Sequence, residues 1–530
     1  MTATANNPAY HGRYPLTQGV NPWLVVLAVM LPTFMEVLDT AIASVALPYI
    51  AGSLSASNSE ATWVLTSYLV ANAVILPASN WFARRFGRKR FLLFCVVIFT
   101  VASFFCGAAP SLGVILVARI LQGAGGGALQ PLSQSILLES FPPAERSKSM
   151  AAFALGIVLA PVLGPTLGGW LTDTLSWRYA FYINIPFGIL AVLMISRFVH
   201  DPPYLKNIKA SPFDNLGFGL LVVWTGCLQV VLDKGQEDDW FGAIWVRWAV
   251  GALVVAFLLW VWRSWTNPKG LVDLHILKNR NFSTGCLLAG LLGTCIYITI
   301  AILPLYYQEI LGYTAFNAGL VVGPRGLGAF VGSPVIGYLG SRFDSRKLMT
   351  VGFLGFAACA YIFGTVNLDT GPYTLLVPIL LTGFALSWVY VPMATMATST
   401  VPVHEMGNAT GLFNMLRNIG GSIGIAMATT ALVRRADMHQ TYLGGHLSAS
   451  APLLQQKSAA LAMYLGHHVG PPGARAGSFG LLYGKLIQQA ALLAYVDVFK
   501  WTALLAAAGA GLTWFFKKPV KHHAPPPGLH

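Results

Sequence analysis

Hydrophobic runs about as long as a membrane is thick recur along almost the whole chain. A helix needs roughly 20 mostly apolar residues to cross the hydrocarbon core of a bilayer. Read between charged breaks, the runs lie near residues 23–50, 63–82, 91–109, 113–138, 150–171, 180–198, 215–232, 243–262, 283–305, 317–339, 348–366, 373–398, 408–432 and 498–516. We therefore predict an all-α polytopic membrane protein with 14 spans.

Composition supports this prediction and argues against two other classes of protein. The chain is 55% hydrophobic and only 10% charged, whereas soluble domains carry about 25% charged residues. The net charge of +14 comes from Lys and Arg in short connections and not from an aromatic-interleaved patch, so we predict no nucleic-acid partner. The chain contains no H-E-x-x-H or C-x-x-C motif, and we predict no enzyme, no metal site and no cofactor.

Orientation follows from the positive charges. Lys and Arg concentrate in one set of short connections, which also includes the basic segment 84–90. Such connections face the cytoplasm. We predict an inner-membrane protein with cytoplasmic tails at 1–22 and 517–530, and with 433–497 as one long external segment.

An internal repeat divides the chain. Several residues that follow the second span recur after the tenth, displaced by 257 positions: Pro77, Arg85, Phe86, Lys89 and Arg90 match Pro334, Arg342, Phe343, Arg346 and Lys347. Secondary transporters are commonly built from such repeats. We predict two six-helix bundles, 23–200 and 269–516, with two inserted spans at 201–268.

A few charges remain where lipid disfavours them. Glu36 and Asp39 lie within the first span, while Arg119, Arg325 and Arg417 lie within later ones. A charge at the centre of the bilayer costs at least about 2.5–3.5 kcal/mol, so it normally faces a partner or a cavity. We predict Asp39, Glu36 and Arg119 as the proton-coupling group, with a purely structural ion pair as the alternative.

Two further spans carry patterned faces. In the fourth span Gln122, Gln130 and Gln134 recur on one stripe, which is typical of a polar cavity wall or of helix–helix hydrogen bonding. With Arg325 and Arg417 they form the predicted substrate cavity. In the fifth span a small-residue seam is predicted to pack the two halves closely; its members are Gly156, Pro161, Gly164, Pro165 and Gly168.

Several of these stretches resemble one family. FMEVLDTAIASVALPYI (34–50), LVARILQGAGGG (116–127) and GIVLAPVLGPTLGGWL (156–171) are similar to motifs of the major facilitator superfamily, in particular of its fourteen-span drug:proton antiporters of the EmrB/QacA type. The resemblance places the family's acidic position on Asp39 and its fourth-span arginine on Arg119. It implies the major facilitator fold.

The resemblance also implies a cytoplasmic loop motif and a function. Arg85, Gly87, Arg88 and Lys89 fit the loop motif, although Asn80 stands where the family has glycine and Arg84 where it has an acid. The family exports hydrophobic, often cationic drugs against inward proton flow. Its EmrB-like members work with an EmrA-like periplasmic membrane-fusion adaptor and, in Gram-negative cells, an outer-membrane channel; membrane lipid is a further partner.

Alternatives remain open at this level. The same fold serves narrow-substrate exporters of siderophores, fatty acids or organic acids, and fold does not identify the substrate. The external segment 433–497 has helical apolar spacing in two places. It is predicted to be an adaptor platform, an amphipathic cover resting on the bilayer, or a disordered linker.

Overall fold

The structure is a computed structural model. It describes residues 21–142, 145–201, 212–267, 270–340, 342–371, 373–402, 405–446, 452–469 and 471–517. The predicted tails lie almost entirely outside the described residues, and so do most of the connections at which the three predicted segments meet. Within the described residues the chain is helical and contains no strand.

The N half consists of six membrane-length units. Two of them are interrupted: α4 and α5 form one unit broken at Gly127, and α7 and α8 form another. Its helices are α1 (Pro22–Ser53), α2 (Asn58–Phe86), α3 (Arg88–Ala108), α4 (Leu112–Gly126), α5 (Leu129–Ser140), α6 (Arg146–Thr174), α7 (Tyr179–Tyr182) and α8 (Asn184–Phe198).

Two inserted helices follow, and then the C half. The inserted pair is α9 (Asn215–Lys234) and α10 (Ile244–Thr266). The C half consists of α11 (Arg280–Leu305), which continues as a π-helix at Tyr306–Ile310, α12 (Ala315–Val322), α13 (Pro324–Leu339), α14 (Ser345–Phe363), α15 (Leu376–Thr398), α16 (Met406–Gly445), α17 (Pro452–Val469) and α18 (Pro471–Leu512).

The all-α fold class is confirmed. Among the described residues 13 helices are long and apolar enough to cross a membrane. The remaining predicted span, 408–432, lies within α16, which is less apolar and packs against α11 and α18. Counting α16, each half contributes six membrane-length units and the inserted pair contributes two.

The two halves repeat the same packing. In the N half α1 packs against α6 and α8, while α4 packs against α2 and α3. In the C half α11 packs against α16 and α18, while α15 packs against α13 and α14. This equivalence is the three-dimensional counterpart of the sequence repeat, because α13 follows α11 just as α2 follows α1.

Helices from both halves form the interface between them. Across the interface α6 packs against α12, α13 and α15, and α16 packs against α2 and α5. Close approaches include Gly407 beside Asn80 and Gly337 beside Lys148, which lie at the predicted cytoplasmic ends of their helices. All residues of α5 are buried. The halves are therefore in contact at these ends.

The predicted external loop at 433–497 differs from the structure. Helix α16 continues to Gly445, and α18 begins at Pro471 and runs without a break into the last span. With 42 residues, α18 is about 63 Å long, roughly twice the hydrocarbon thickness. The periodic stretch 479–495 is therefore part of a projecting span and does not lie flat on the bilayer, while α17 packs against α18.

Candidate functional site

A buried ion pair lies inside the N half. Arg119 Nη1 on α4 lies 2.6 Å from Asp39 Oδ2 on α1, and both side chains are completely buried. Removing two charges from water costs several kcal/mol per ion, so such a pair needs further hydrogen bonds. The structure thus brings together the two residues that the sequence singled out most strongly.

Two amides complete the surroundings of the carboxylate. Gln122 Nε2 and Asn184 Nδ2 both donate to Asp39 Oδ1, at 2.8 Å and 2.6 Å. Both are buried, and both also contact Ser103 Oγ on α3. Asp39 therefore receives hydrogen bonds from one guanidinium and two amides, on α4 and α8.

Arg119 is held from the other side by α2. Its Nε donates to the carbonyl oxygen of Val64 at 2.9 Å, and its guanidinium carbon lies 4.3 Å from the ring centroid of Tyr68. A cation over an aromatic face is attracted by the ring quadrupole. Arg119 Nη2 and Asn184 Oδ1 are buried and have no hydrogen-bond partner among the described residues.

Local sequence explains this convergence. Arg119 and Gln122 lie three residues apart on α4, so they share one helix face, and the buried face of α4 also includes Gly123 and Gly126. A Cβ at Gly123 would lie 2.3 Å from the carbonyl oxygen of Tyr68. Only glycine lets α4 approach α2 closely enough for Arg119 to reach Val64.

Glu36 lies one turn before Asp39 but has different neighbours. Its Oε1 accepts a hydrogen bond from Asn72 Nδ2 of α2 at 3.0 Å. Its Oε2 is buried and has no hydrogen-bond partner among the described residues. The charge of Arg417, from the C half, acts on Glu36. The two carboxylates that the sequence grouped together therefore occupy different environments.

A second polar cluster joins the two halves. Gln130 on α5 accepts a hydrogen bond from Arg417 Nη2 on α16, and Arg417 Nη1 donates to Tyr390 Oη on α15 at 3.3 Å. One helical turn away, Asn414 Nδ2 donates to Gln134 Oε1 at 2.6 Å. Three of the five predicted cavity residues therefore meet between the halves.

The other two predicted cavity residues lie elsewhere. Gln122 belongs to the Asp39 site. Arg325 lies in the first turn of α13, is 2% exposed, and has two guanidinium nitrogens without a hydrogen-bond partner among the described residues. A Cβ at Gly383 would lie 1.8 Å from the Arg325 carbonyl oxygen, so α13 meets α15 backbone to backbone there.

The small-residue face of the fifth span packs within the N half. A Cβ at Gly164 would lie 2.3 Å from the Ala41 Cβ, and one at Gly156 would meet Met30 at 2.7 Å. Gly168 faces Ile42, so all three glycines face α1. Pro161 and Pro165 lie within α6 without ending it. The predicted seam is real, but its glycines join α6 to α1 and not to the C half, because α12 and α13 take other faces of α6.

The loop motif anchors the start of α3. Arg88 Nη1 lies 2.5 Å from Glu139 Oε1 at the end of α5, and Asp201 Oδ1 accepts from the Lys89 backbone N–H at 2.8 Å. Gly87 adopts φ 90°, a conformation that favours glycine. Arg85 is exposed. The contacts of Arg88 and Lys89 therefore lie within the N half.

Sequence reasoning missed Asn184, Ser103, Asn72 and Tyr390. Asn184 had a usable signal, because it is a lone amide in the apolar run YINIPFG. Ser103 and Tyr390 had none, since one serine or tyrosine in a span is ordinary. The described residues contain no group of three or more His, Cys, Asp or Glu that could hold a metal.

Comparison with known proteins agrees with the fold. Residues 29–425 match the Major Facilitator Superfamily. The chain is 39% identical to the multidrug export protein EmrB of Haemophilus influenzae, over 84% of this chain and 87% of that protein. It is 35% identical to the fatty acid resistance protein FarB of Neisseria gonorrhoeae, over 96% of this chain and 98% of that protein.

A solved structure supports the fold alone. The human organic anion transporter MFSD10 (TETRAN) superposes with a TM-score of 0.55 at 14% identity, covering 92% of this chain and 99% of that one. Matched halves, a buried Asp39–Arg119 pair and relatives aligned over most of both chains agree on one assignment. The chain belongs to the Major Facilitator Superfamily, as an EmrB-like multi-pass membrane transporter.

Proposed function

We propose that this transporter exports hydrophobic and cationic drugs in exchange for protons. The observation that carries the proposal is the fully buried Asp39 carboxylate, held by Arg119, Gln122 and Asn184. The proton gradient is the energy source, and the relatives named as multidrug export proteins support the substrate class. Asp39 binds and releases the proton.

The geometry supplies a switch. With Asp39 ionised, its oxygens accept three hydrogen bonds from α4 and α8. A proton on Asp39 removes the charge that attracts Arg119 and creates an O–H that needs an acceptor. The Asn184 amide provides this acceptor when it rotates by about 180°, because its oxygen has no other partner among the described residues. Protonation therefore loosens the contact of α1 with α4.

Substrate binds near the second polar cluster. Glu36 and Asp39 are on α1, so a movement of α1 set by protonation of Asp39 also moves Glu36. Gln130 and Arg417 lie where the two halves meet, and the charge of Arg417 acts on Glu36. A substrate there contacts both halves, as alternating access requires. The Glu36 carboxylate suits a cationic group of the drug.

The membrane potential supplies enough free energy for the export of a neutral drug. One charge moving through 100 mV releases about 2.3 kcal/mol, which corresponds to roughly a fifty-fold gradient of a neutral drug. A monovalent cationic drug exchanged for one proton gains nothing from the voltage. Its export needs the pH gradient or a second proton.

Drug uptake into inside-out membrane vesicles tests the proposal. We expect an imposed proton gradient, with the vesicle interior acidic, to drive drug accumulation by the wild-type protein. An uncoupler should abolish this accumulation. Vesicles with Asp39→Asn protein at equal abundance serve as the control. Equal accumulation with and without the gradient would disprove proton coupling.

A second candidate is export of an amphipathic anion. Arg417 and Arg325 are both buried in the C half, and Arg325 has no counter-charge within hydrogen-bonding distance among the described residues. The fatty acid resistance relative also fits this chemistry. A panel of cationic drugs and fatty acids in a pump-deficient host separates the two. Protection against fatty acids alone would favour the narrow-substrate exporter.

We further propose that the projecting ends of α16 and α18, together with α17, face the periplasm of an inner-membrane protein and bind an EmrA-like adaptor. These helices expose aromatic and apolar side chains outside the predicted bilayer, including Tyr442, Met463 and Tyr483. Exposed apolar patches mark protein or membrane contacts. The adaptor would link this transporter to an outer-membrane channel.

Removal of α17 tests the adaptor surface. A variant with 447–470 replaced by a short Gly/Ser link should keep proton-driven uptake in vesicles, lose co-purification of the adaptor, and lose drug resistance in whole cells. Resistance and adaptor binding at wild-type levels would rule out this surface.

A further inference from the structure

The inserted helix α9 lies over the seam between the two halves. It packs against α2 of the N half and against α16 of the C half, and α2 and α16 also contact each other. Trp224 of α9 packs against Trp260 of α10, with ring centroids 5.3 Å apart and the ring planes tilted by 45°. The pair α9–α10 therefore touches the seam through α9.

The contacts of α9 with the N half are numerous. Thr66 of α2 donates a hydrogen bond to Asp233, and Lys234 donates to Thr62. A Cβ at Gly226 would lie 3.7 Å from Val70. Since residues 62, 66 and 70 are spaced by four, one face of α2 receives α9.

The opposite face of α2 supports the proton site. Val64 binds Arg119, Tyr68 lies beneath the Arg119 guanidinium, and Asn72 binds Glu36. These three residues are also spaced by four. The helix that α9 braces is thus the one that positions Arg119 and Glu36.

The contact of α9 with the C half runs through Gln229. Ser422 Oγ on α16 donates to Gln229 Oε1 at 2.9 Å. Gln229 is four residues before Asp233 and three after Gly226, so all three share one face of α9. Ser422 follows Arg417 by little more than one turn of α16. One face of α9 therefore reaches both halves.

We propose that α9 moves with the N half and fastens the seam through the Gln229–Ser422 hydrogen bond, which breaks when the halves separate there. Gln229 and Ser422 are positioning residues of the transport cycle and touch neither proton nor substrate. The inference rests on the proposed transport function, because it needs the halves to move.

Reversible cross-linking tests whether the Gln229–Ser422 contact must break during transport; we call this contact the latch. Gln229→Cys with Ser422→Cys is the test pair, and Gly226→Cys with Val70→Cys is the matched control between α9 and the N half. Both carry Cys227→Ser, because that half-buried thiol adjoins the site, whereas the five other cysteines are buried. Because cysteine is shorter than the glutamine it replaces, a short bifunctional methanethiosulfonate is used to bridge the two thiols. Peptide mass spectrometry measures the linked product.

We expect both pairs to become linked. Linking 229 to 422 should stop drug uptake in inside-out vesicles, and dithiothreitol should restore it. Linking 226 to 70 should leave uptake unchanged. Three results would each overturn the latch. Uptake could continue with 229 linked to 422, uptake could be lost in both linked pairs, or the control pair alone could become linked. Absence of proton-driven uptake in the Cys227→Ser parent and the wild type would instead defeat the proposed function.

Single substitutions give an independent readout. Gln229→Ala and Ser422→Ala remove the same hydrogen bond, so each should change the maximal uptake rate by the same factor, roughly two- to tenfold, with KM unchanged. The double variant should show no further change, and Ser422→Thr, which keeps the hydroxyl, should behave as wild type. Independent, multiplying effects of the two alanines would show that no shared contact exists.

Discussion

Asp39 and Glu36 lie one helical turn apart on α1, yet among the described residues Asp39 forms hydrogen bonds only within the N half, while the charge of Arg417 from the C half acts on Glu36. Asp39 accepts from Arg119, Gln122 and Asn184. Glu36 accepts from Asn72 and keeps one oxygen without a hydrogen-bond partner among the described residues. This separation assigns them different roles and motivates the first prediction.

Asp39→Asn is expected to abolish proton-driven export, and Glu36→Gln to be milder. The asparagine keeps the shape of the side chain but cannot exchange a proton. Glu36→Gln should chiefly weaken transport of cationic drugs, because Glu36 faces the second polar cluster. Uptake in vesicles, normalised to protein abundance in the membrane, measures both. Wild-type drug resistance in Asp39→Asn cells would remove Asp39 from the coupling mechanism.

Arg119→Ala is expected to impair export and to destabilise the N half by about 3–5 kcal/mol, because it leaves Asp39 buried without its cation. Arg119→Lys should recover only part of the activity. Arginine binds Val64 through Nε and Asp39 through Nη1, whereas one ammonium cannot reproduce this planar fork. Thermal unfolding in detergent and vesicle uptake test this, and full activity of the alanine variant would contradict it.

Asn184→Leu is expected to reduce proton-driven uptake at equal protein abundance. The ionised Asp39 loses one of three donors, and a hydrogen bond to a charged group contributes about 1.5–3 kcal/mol. Ser103→Ala is the control, since Ser103 contacts the amides and not Asp39; its effect should be smaller. Equal uptake by wild type and Asn184→Leu would contradict the role of Asn184.

Gly164→Val is expected to cost about 1–3 kcal/mol by overpacking and to reduce transport. The new Cβ would lie 2.3 Å from Ala41 of α1, so α6 must move away from the helix that carries Asp39. Gly251→Ala in α10 is the matched control, because nothing lies within 4 Å of its Cβ position. Unfolding temperature and uptake should both fall for Gly164→Val alone.

Alkaline phosphatase fused near residue 465 is expected to be active, and a fusion near residue 525 inactive. The reason is the concentration of Lys and Arg in the connections on one side. The reverse pattern of activity would invert the orientation and move the adaptor surface to the cytoplasm.

The first-span and fourth-span charges show how far sequence reasoning reaches. Asp39 and Arg119 could be identified because lipid makes an unpaired charge costly, so opposite charges within spans are expected to meet. Their partner Asn184 could not be identified with the same force. An amide in a span is tolerated in many settings, and the packing of α8 against α1 and α3 brings it to Asp39.

The predicted polar stripe shows where helix periodicity stops being informative. Gln122 and Gln130 share a stripe in the sequence, but Gln122 binds Asp39 while Gln130 binds Arg417. The break between α4 and α5 at Gly127 lies between them. A break in the helix changes which neighbours its two parts meet, and periodicity assumes that there is none.

The sequence by itself determined the spans, the two-half plan and the central ion pair, because hydrophobic length, repeated residues and rare buried charges are local or pairwise properties. Tertiary structure decided that the glycines of α6 face α1, that Arg325 lies apart from Arg417, and that 433–497 extends two spans. The physical reason is that a helix has several faces that could pack. Which face meets which neighbour depends on the simultaneous packing of all the helices.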